Sequence, residues 1–117
     1  MHNDYQELSK KDKKIVRELI DKGIAEDFRK GMQHFDQLIQ QLKISAETPQ
    51  EQYYKLFNEV RDFDKQIGRM YDGRTGSRYL GILANQIAIG LIDLSELEDL
   101  NTDVKERLIR HVNLLKE

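Results

Sequence analysis

The chain has 117 residues, 34% of them charged and none of them cysteine, with a formal net charge of −2. That length suits one domain and is short for two. The missing cysteines exclude disulfides, thiolate metal sites and thiol nucleophiles, and the near-balanced charge gives no global field favouring nucleic acid.

The opening segment "MHNDYQELSKKDKK" lacks the apolar core of a signal peptide. The longest charge-free run, Tyr79–Ile92, is shorter than the roughly 20 apolar residues of a membrane span. The expectation is a cytoplasmic chain without membrane contact, a single helical domain over 1–117 with a frayed N-terminus at 1–8. One proline, no tryptophan and abundant Glu, Lys, Leu, Gln, Ile and Asp favour helices, and nothing reads as a strand.

The first helical pattern runs from about Ser9 to Lys43. Ser9 and Asp12 have the spacing of an S-x-x-D capping box. Ile15, Val16, Leu19 and Ile20 form one apolar stripe, and Phe28, Met32, Phe35, Ile39 and Leu42 form a second. The stripes are out of register by one residue, about 100° around a helix. Gly23 and Gly31 sit in the changeover, each costing about 1 kcal/mol against alanine. Either the helix breaks near Gly23, or its two halves face different neighbours. Unbroken, it spans roughly 50 Å against roughly 35 Å for the next helix. The overhang then needs to fold back or to be covered by another chain, which predicts a homodimer.

"TPQE" (48–51) marks the next start, with Thr48 as cap, Pro49 at the first helical position and Glu51 reaching back. Tyr53, Leu56, Val60, Phe63, Ile67 and Met70 then keep a bundle-type spacing. Asp72-Gly73 ends that helix, and Thr75 or Ser77 can cap the charge-free one. Its apolar residues on every side predict the central, most buried element, with Asn85 and Gln86 as buried amides that fix register. Gly90 reads as a left-handed terminator with Leu91 folding back. Ser95 and Glu98 have capping-box spacing for a short turn near 95–100. A last helix begins at Thr102 or Asp103, with Val104, Leu108, Ile109, Val112 and Leu115 on one face. The fold class is therefore all-α, a bundle of four main helices plus that short turn.

Two kinds of chemistry can be sought in these elements. The turn "DGRTGSR" (72–78) places Arg74, Thr75, Ser77 and Arg78 at a helix N-terminus, where free N–H groups and the helix dipole favour an anion. It lacks the lysine and further glycines of a Walker loop, and helix termination and capping already account for Gly73, Gly76 and Ser77. The alternative function is thus a small-anion or nucleotide-responsive binding protein. Among proton-transfer candidates, His2, His34 and His111 have no glutamate three residues before them, which removes a di-metal bundle. Asp62, Asp64 and Asp72 read more simply as ion-pair partners than as a carboxylate site.

Arg29 and His34, in "RKGMQH", are similar to the arginine-x4-histidine signature of HEPN-type helical ribonucleases. That resemblance implies RNA cleavage by the pair at a dimer interface. It covers six residues, and it places in the first helix a motif which that family carries late in the domain. Positions five apart also share a helix face poorly. The first reading is therefore a non-enzymatic helical interaction or assembly module, self-associating as a dimer and open to a further protein partner. It carries no cofactor, metal, catalytic residue or nucleic-acid surface.

Overall fold

The computed structural model describes residues 7–73 and 75–117, with Ser77 described by its backbone alone. Among them are four α-helices and no strand: α1 (Lys10–Lys43), α2 (Pro49–Tyr71), α3 (Tyr79–Ala88) and α4 (Thr102–Lys116). Short 3-10 turns occupy Gly76–Arg78 and Leu94–Leu97. The all-α expectation holds.

The helix ends follow local chemistry. Ser9 caps α1 through Oγ, accepting from the Asp12 N–H at 3.1 Å. Thr48 caps α2, its Oγ1 accepting from the Glu51 N–H at 3.2 Å and donating to the Glu51 carboxylate at 3.0 Å. Gly90, at φ +86°, closes α3 as the Leu91 N–H reaches the Gln86 carbonyl at 2.9 Å. The short turn at Leu94–Leu97 is capped two residues earlier than its sequence suggests. Asp93 accepts from the Ser95 N–H and Glu96 accepts from the Asp93 N–H, so the pair Asp93/Glu96 replaces Ser95/Glu98.

The chain divides into two compact units, one of Met1–Glu26 with Gly73–Glu117 and the other of Asp27–Asp72. The division falls inside α1, which is continuous through Gly23. The two stripes of α1 thus belong to different units, the second of the alternatives its sequence left open.

The first unit has a closed core. Val16, Ile20, Leu83, Ala84, Leu97 and Leu108 are each at most 1% exposed, so the charge-free helix is buried as its composition requires. The Ile15–Ile20 overhang needs no second chain, because Val16 and Ile20 are covered within this unit. Of the two amides on α3, Gln86 is fully buried and donates to the Ile20 carbonyl at 3.0 Å. Asn85 is exposed, contrary to expectation, since it lies roughly 160° around α3 from the buried Leu83 and Ile87. Gly23 exists for Gln86: a Cβ there would stand 2.4 Å from its Nε2.

Near the start of α1 the Asp12 carboxylate, 1% exposed, accepts from the Asn101 side-chain amide at 2.7 Å and from the Asn101 N–H at 3.2 Å. It thereby anchors the residue that caps α4 instead of completing its own capping box. Of the segment expected to fray, only Glu7 and Leu8 are among the described residues, and Leu8 is buried. On α4, Val104, Leu108 and Val112 are buried, while Ile109 and Leu115 of the same expected face stay open.

Within the second unit, the 27–43 part of α1 and α2 form an antiparallel hairpin, as the descending pairing shows. Asp27 accepts from the Tyr71 hydroxyl at 3.0 Å, Phe28 and Phe35 pack edge-on against Phe63, and His34 meets Glu59 at 3.2 Å. At the closed end the Gln52 amide donates to the Leu42 carbonyl at 2.8 Å. Gly31 lets Phe63 in, for a Cβ would come within 2.5 Å of the ring.

Candidate functional site

The hairpin of residues 27–72 has two unlike sides. One is polar: His34 and Glu59 bridge it above a groove of about 300 Å³ whose rim also holds Asp27, Lys30 and Asp62. The other side is apolar and open. Phe28 and Met32 leave α1 46% and 67% exposed; Tyr53, Tyr54, Phe57 and Val60 leave α2 58%, 60%, 46% and 43% exposed. At the loop end a groove of about 210 Å³ runs between the helices, floored by Ile39, Leu42 and Leu56 and walled by Tyr53.

Helical spacing explains why this side stays open. Leu56, Phe63, Ile67 and Met70 point into the hairpin and are half-buried. Tyr53 and Val60, read from sequence as part of the same seam, are rotated towards solvent and remain exposed, a correction to that seam. Two helices cover one stripe of each other and leave the adjoining stripe bare; a bundle needs further helices to cover it. Tyr53 and Tyr54 pack edge-on, Tyr53 and Phe57 stack at 6.2 Å, and the Arg61 guanidinium lies 6.0 Å from the Phe57 ring centre. Arg61 is thus held over the aromatic cluster it borders.

The residues singled out for an anion fall elsewhere. Arg74 lies outside the described residues, as does the Ser77 side chain. Thr75 is exposed and its carbonyl accepts from the Arg78 N–H at 2.9 Å, opening the 3-10 turn. The Arg78 guanidinium donates to the Gly73 carbonyl at 3.4 Å, and Gly73 takes φ +67°. The turn therefore uses one of its two arginines to hold its own backbone.

Arg29 and His34 do not converge within the chain. Five positions along α1 set them roughly 140° apart around the helix, and His34 is engaged by Glu59. His2 lies outside the described residues. No group of three or more His, Asp or Glu able to hold a metal ion occurs among the described residues, and Asp62, Asp64 and Asp72 form no such cluster. No helix there is long and apolar enough to cross a membrane.

A third feature is the cleft of about 430 Å³ around Asp12, lined by Glu7, Ser9, Asn101, Asp103 and Arg107. Arg107 closes it with Asp103 at 3.1 Å and Glu7 at 3.9 Å. Its charges are taken up by these ion pairs and by the Asp12–Asn101 clasp, so its chemistry is that of a structural joint. Elsewhere in the first unit, Lys22 pairs with Glu96 and holds that carboxyl below its ordinary value; the Asp93 N–H adds to this and burial opposes it.

Comparison with protein families, with curated proteins and with solved structures yields no match to this chain. The open apolar side of the hairpin is a feature that packing among the described residues does not account for.

Proposed function

We propose that this protein is a non-enzymatic helical interaction and assembly module, acting in the cytoplasm, which associates with itself through its helical hairpin. The observation that carries this reading is the bare apolar side of α2 and the facing part of α1. Folded chains scatter single apolar residues over their surface, but a contiguous aromatic patch on a helical hairpin is the mark of an interface. Tyrosine, phenylalanine, methionine and arginine are also the residues enriched at the centres of protein interfaces.

Reduced to a closed assembly, the simplest form is a two-fold dimer. Size exclusion with light scattering, from low micromolar to submillimolar protein, tests it. The expected mass approaches twice the 13.8 kDa of one chain as concentration rises. A single-chain mass throughout that range would overturn self-association. Val60→Asp, which places a charge in the patch without touching the hairpin's inner face, is expected to keep the helical signal and to lower the mass to that of one chain.

A further inference from the structure

Along α2, Tyr53, Phe57, Val60 and Asp64 follow a 4-3-4 spacing and so lie in one line on the helix. All four are exposed, and Asp64 makes no hydrogen bond or ion pair among the described residues. The line is aromatic at its N-terminal end and acidic at its C-terminal end. Its centre falls midway between residues 58 and 59. An antiparallel two-fold through that centre pairs Tyr53 with Asp64 of a second copy, and Phe57 with Val60 of a second copy. The reciprocal contacts follow by symmetry, as an isologous interface requires.

Each polar group in the line then meets what it lacks. The phenolic hydroxyl of Tyr53 donates to the Asp64 carboxylate of the other chain, while Phe57 and Val60 meet in the middle and exclude water. A parallel pairing would instead set Asp64 against Asp64 in a partly apolar contact, which like-charge repulsion opposes. Phe28, Met32, Tyr53, Phe57 and Val60 are all more than two-fifths exposed, so both helices of the hairpin contribute apolar surface towards the about 800 Å² each partner gives to a standard stable interface. Arg61, Asp64 and Lys43 around the patch are of mixed sign, so it offers no single-sign field to a nucleic acid or to a strongly acidic or basic peptide.

We propose that the occupant of this face is a second copy of the chain, docked with the two α2 helices antiparallel about the midpoint of Tyr53 and Asp64, so that two hairpins complete a four-helix layer. This rests on the self-association proposed above and adds the orientation and the pairing of residues. It also explains why α2 can carry an aspartate in line with three apolar residues.

The cysteine-free chain makes the geometry measurable. Single nitroxide labels at Asn58→Cys and Arg69→Cys in the full chain report the distance between copies by pulsed dipolar spectroscopy. At 1.5 Å per residue, the antiparallel arrangement gives helix backbones about 10 Å apart at position 58 and more than about 30 Å apart at position 69. Equal distances at the two positions in a protein of two-chain mass overturn this pairing and leave self-association standing. A protein that stays single-chain in mass overturns both. A charge exchange gives an independent check: Tyr53→Glu is expected to weaken dimerisation at least tenfold, and Tyr53→Glu with Asp64→Lys to recover it. Failure of the double variant to recover, with helicity intact, sinks the Tyr53–Asp64 contact.

Discussion

The two parts of α1 have similar apolar stripes that are closed over to different extents. Val16 and Ile20, in the unit of Met1–Glu26 with Gly73–Glu117, are sealed from water; Phe28 and Met32, in the unit Asp27–Asp72, are not. Periodicity is the same in kind, so it does not decide burial. What decides it is how many elements close over the stripe. The first unit brings α3, α4 and two short turns into one core, whereas the second has a single neighbour helix. A hairpin of two helices is half of a bundle, and its bare half is where function is to be sought.

The sharpest way to break this comparison is to truncate one residue in each region. Leu83→Ala is expected to destabilise by about 2–5 kcal/mol, the range for a fully enclosed leucine. Met32→Ala is expected to stay within about 0.5 kcal/mol, measured by urea midpoint at protein concentrations low enough to keep the chain single. Similar losses at both sites would mean that the hairpin is as closed as the core.

The next effect is polar. Asp12→Ala strips the Asn101 N–H and side-chain amide of their acceptor inside the first unit, and is expected to cost about 1–3 kcal/mol. Asp12→Asn, which keeps an acceptor, is expected to lose less. In the hairpin the corresponding local lock is the cap of α2, and Thr48→Ala is expected to cost about 1 kcal/mol. Denaturant titrations of the three variants rank the two locks; a neutral Asp12→Ala would remove the clasp from any account of the core.

The smallest expected effect is electrostatic. The Glu96 carboxyl is held below its ordinary value of 4.5, chiefly by the hydrogen bond from Lys22. The folded chain therefore binds that proton less readily than the unfolded chain does. The contribution is complete above pH 4.5 and fades as pH falls through the lowered folded value. Lys22 is largely exposed, so the gap between parent and Glu96→Gln is expected to be at most about 1 kcal/mol at neutral pH, closing on acidification. A gap that widened in acid would contradict the shift.

What was legible in the sequence was local. Thr48, Pro49 and Gly90 act through neighbours three or four residues away, so their residue types alone reveal them. The Asp93/Glu96 cap was misplaced because Ser95 and Glu98 have the same spacing, and Lys22, far along the chain, engages Glu96. Asp12 has the spacing of half a capping box, yet its carboxylate is claimed by Asn101, 89 positions away. Asn85 and Gln86 were equivalent in one dimension and separate only once α3 has a buried flank. The α2 seam revealed its period but not its width, since Tyr53 and Val60 fit the same spacing as Leu56 and Phe63. For the candidate site, the sequence offered a turn of arginines, whereas the open surface appears only when the neighbours of α2 are known.

Gly23 and Gly31 carry a consequence for anyone re-engineering this chain. Replacing helical glycines by alanine is a standard route to a stiffer helix, with a gain of about 1 kcal/mol each in propensity. In α1 both glycines are notches cut for visitors, the Gln86 carboxamide at one and the Phe63 ring at the other. A methyl at Gly23 meets a fully enclosed amide that must abandon the Ile20 carbonyl to make room. At Gly31 the half-buried ring must leave its edge-on contacts with Phe28 and Phe35. An algorithm that scores the helix alone would choose these two positions first, and would jam both of its joints.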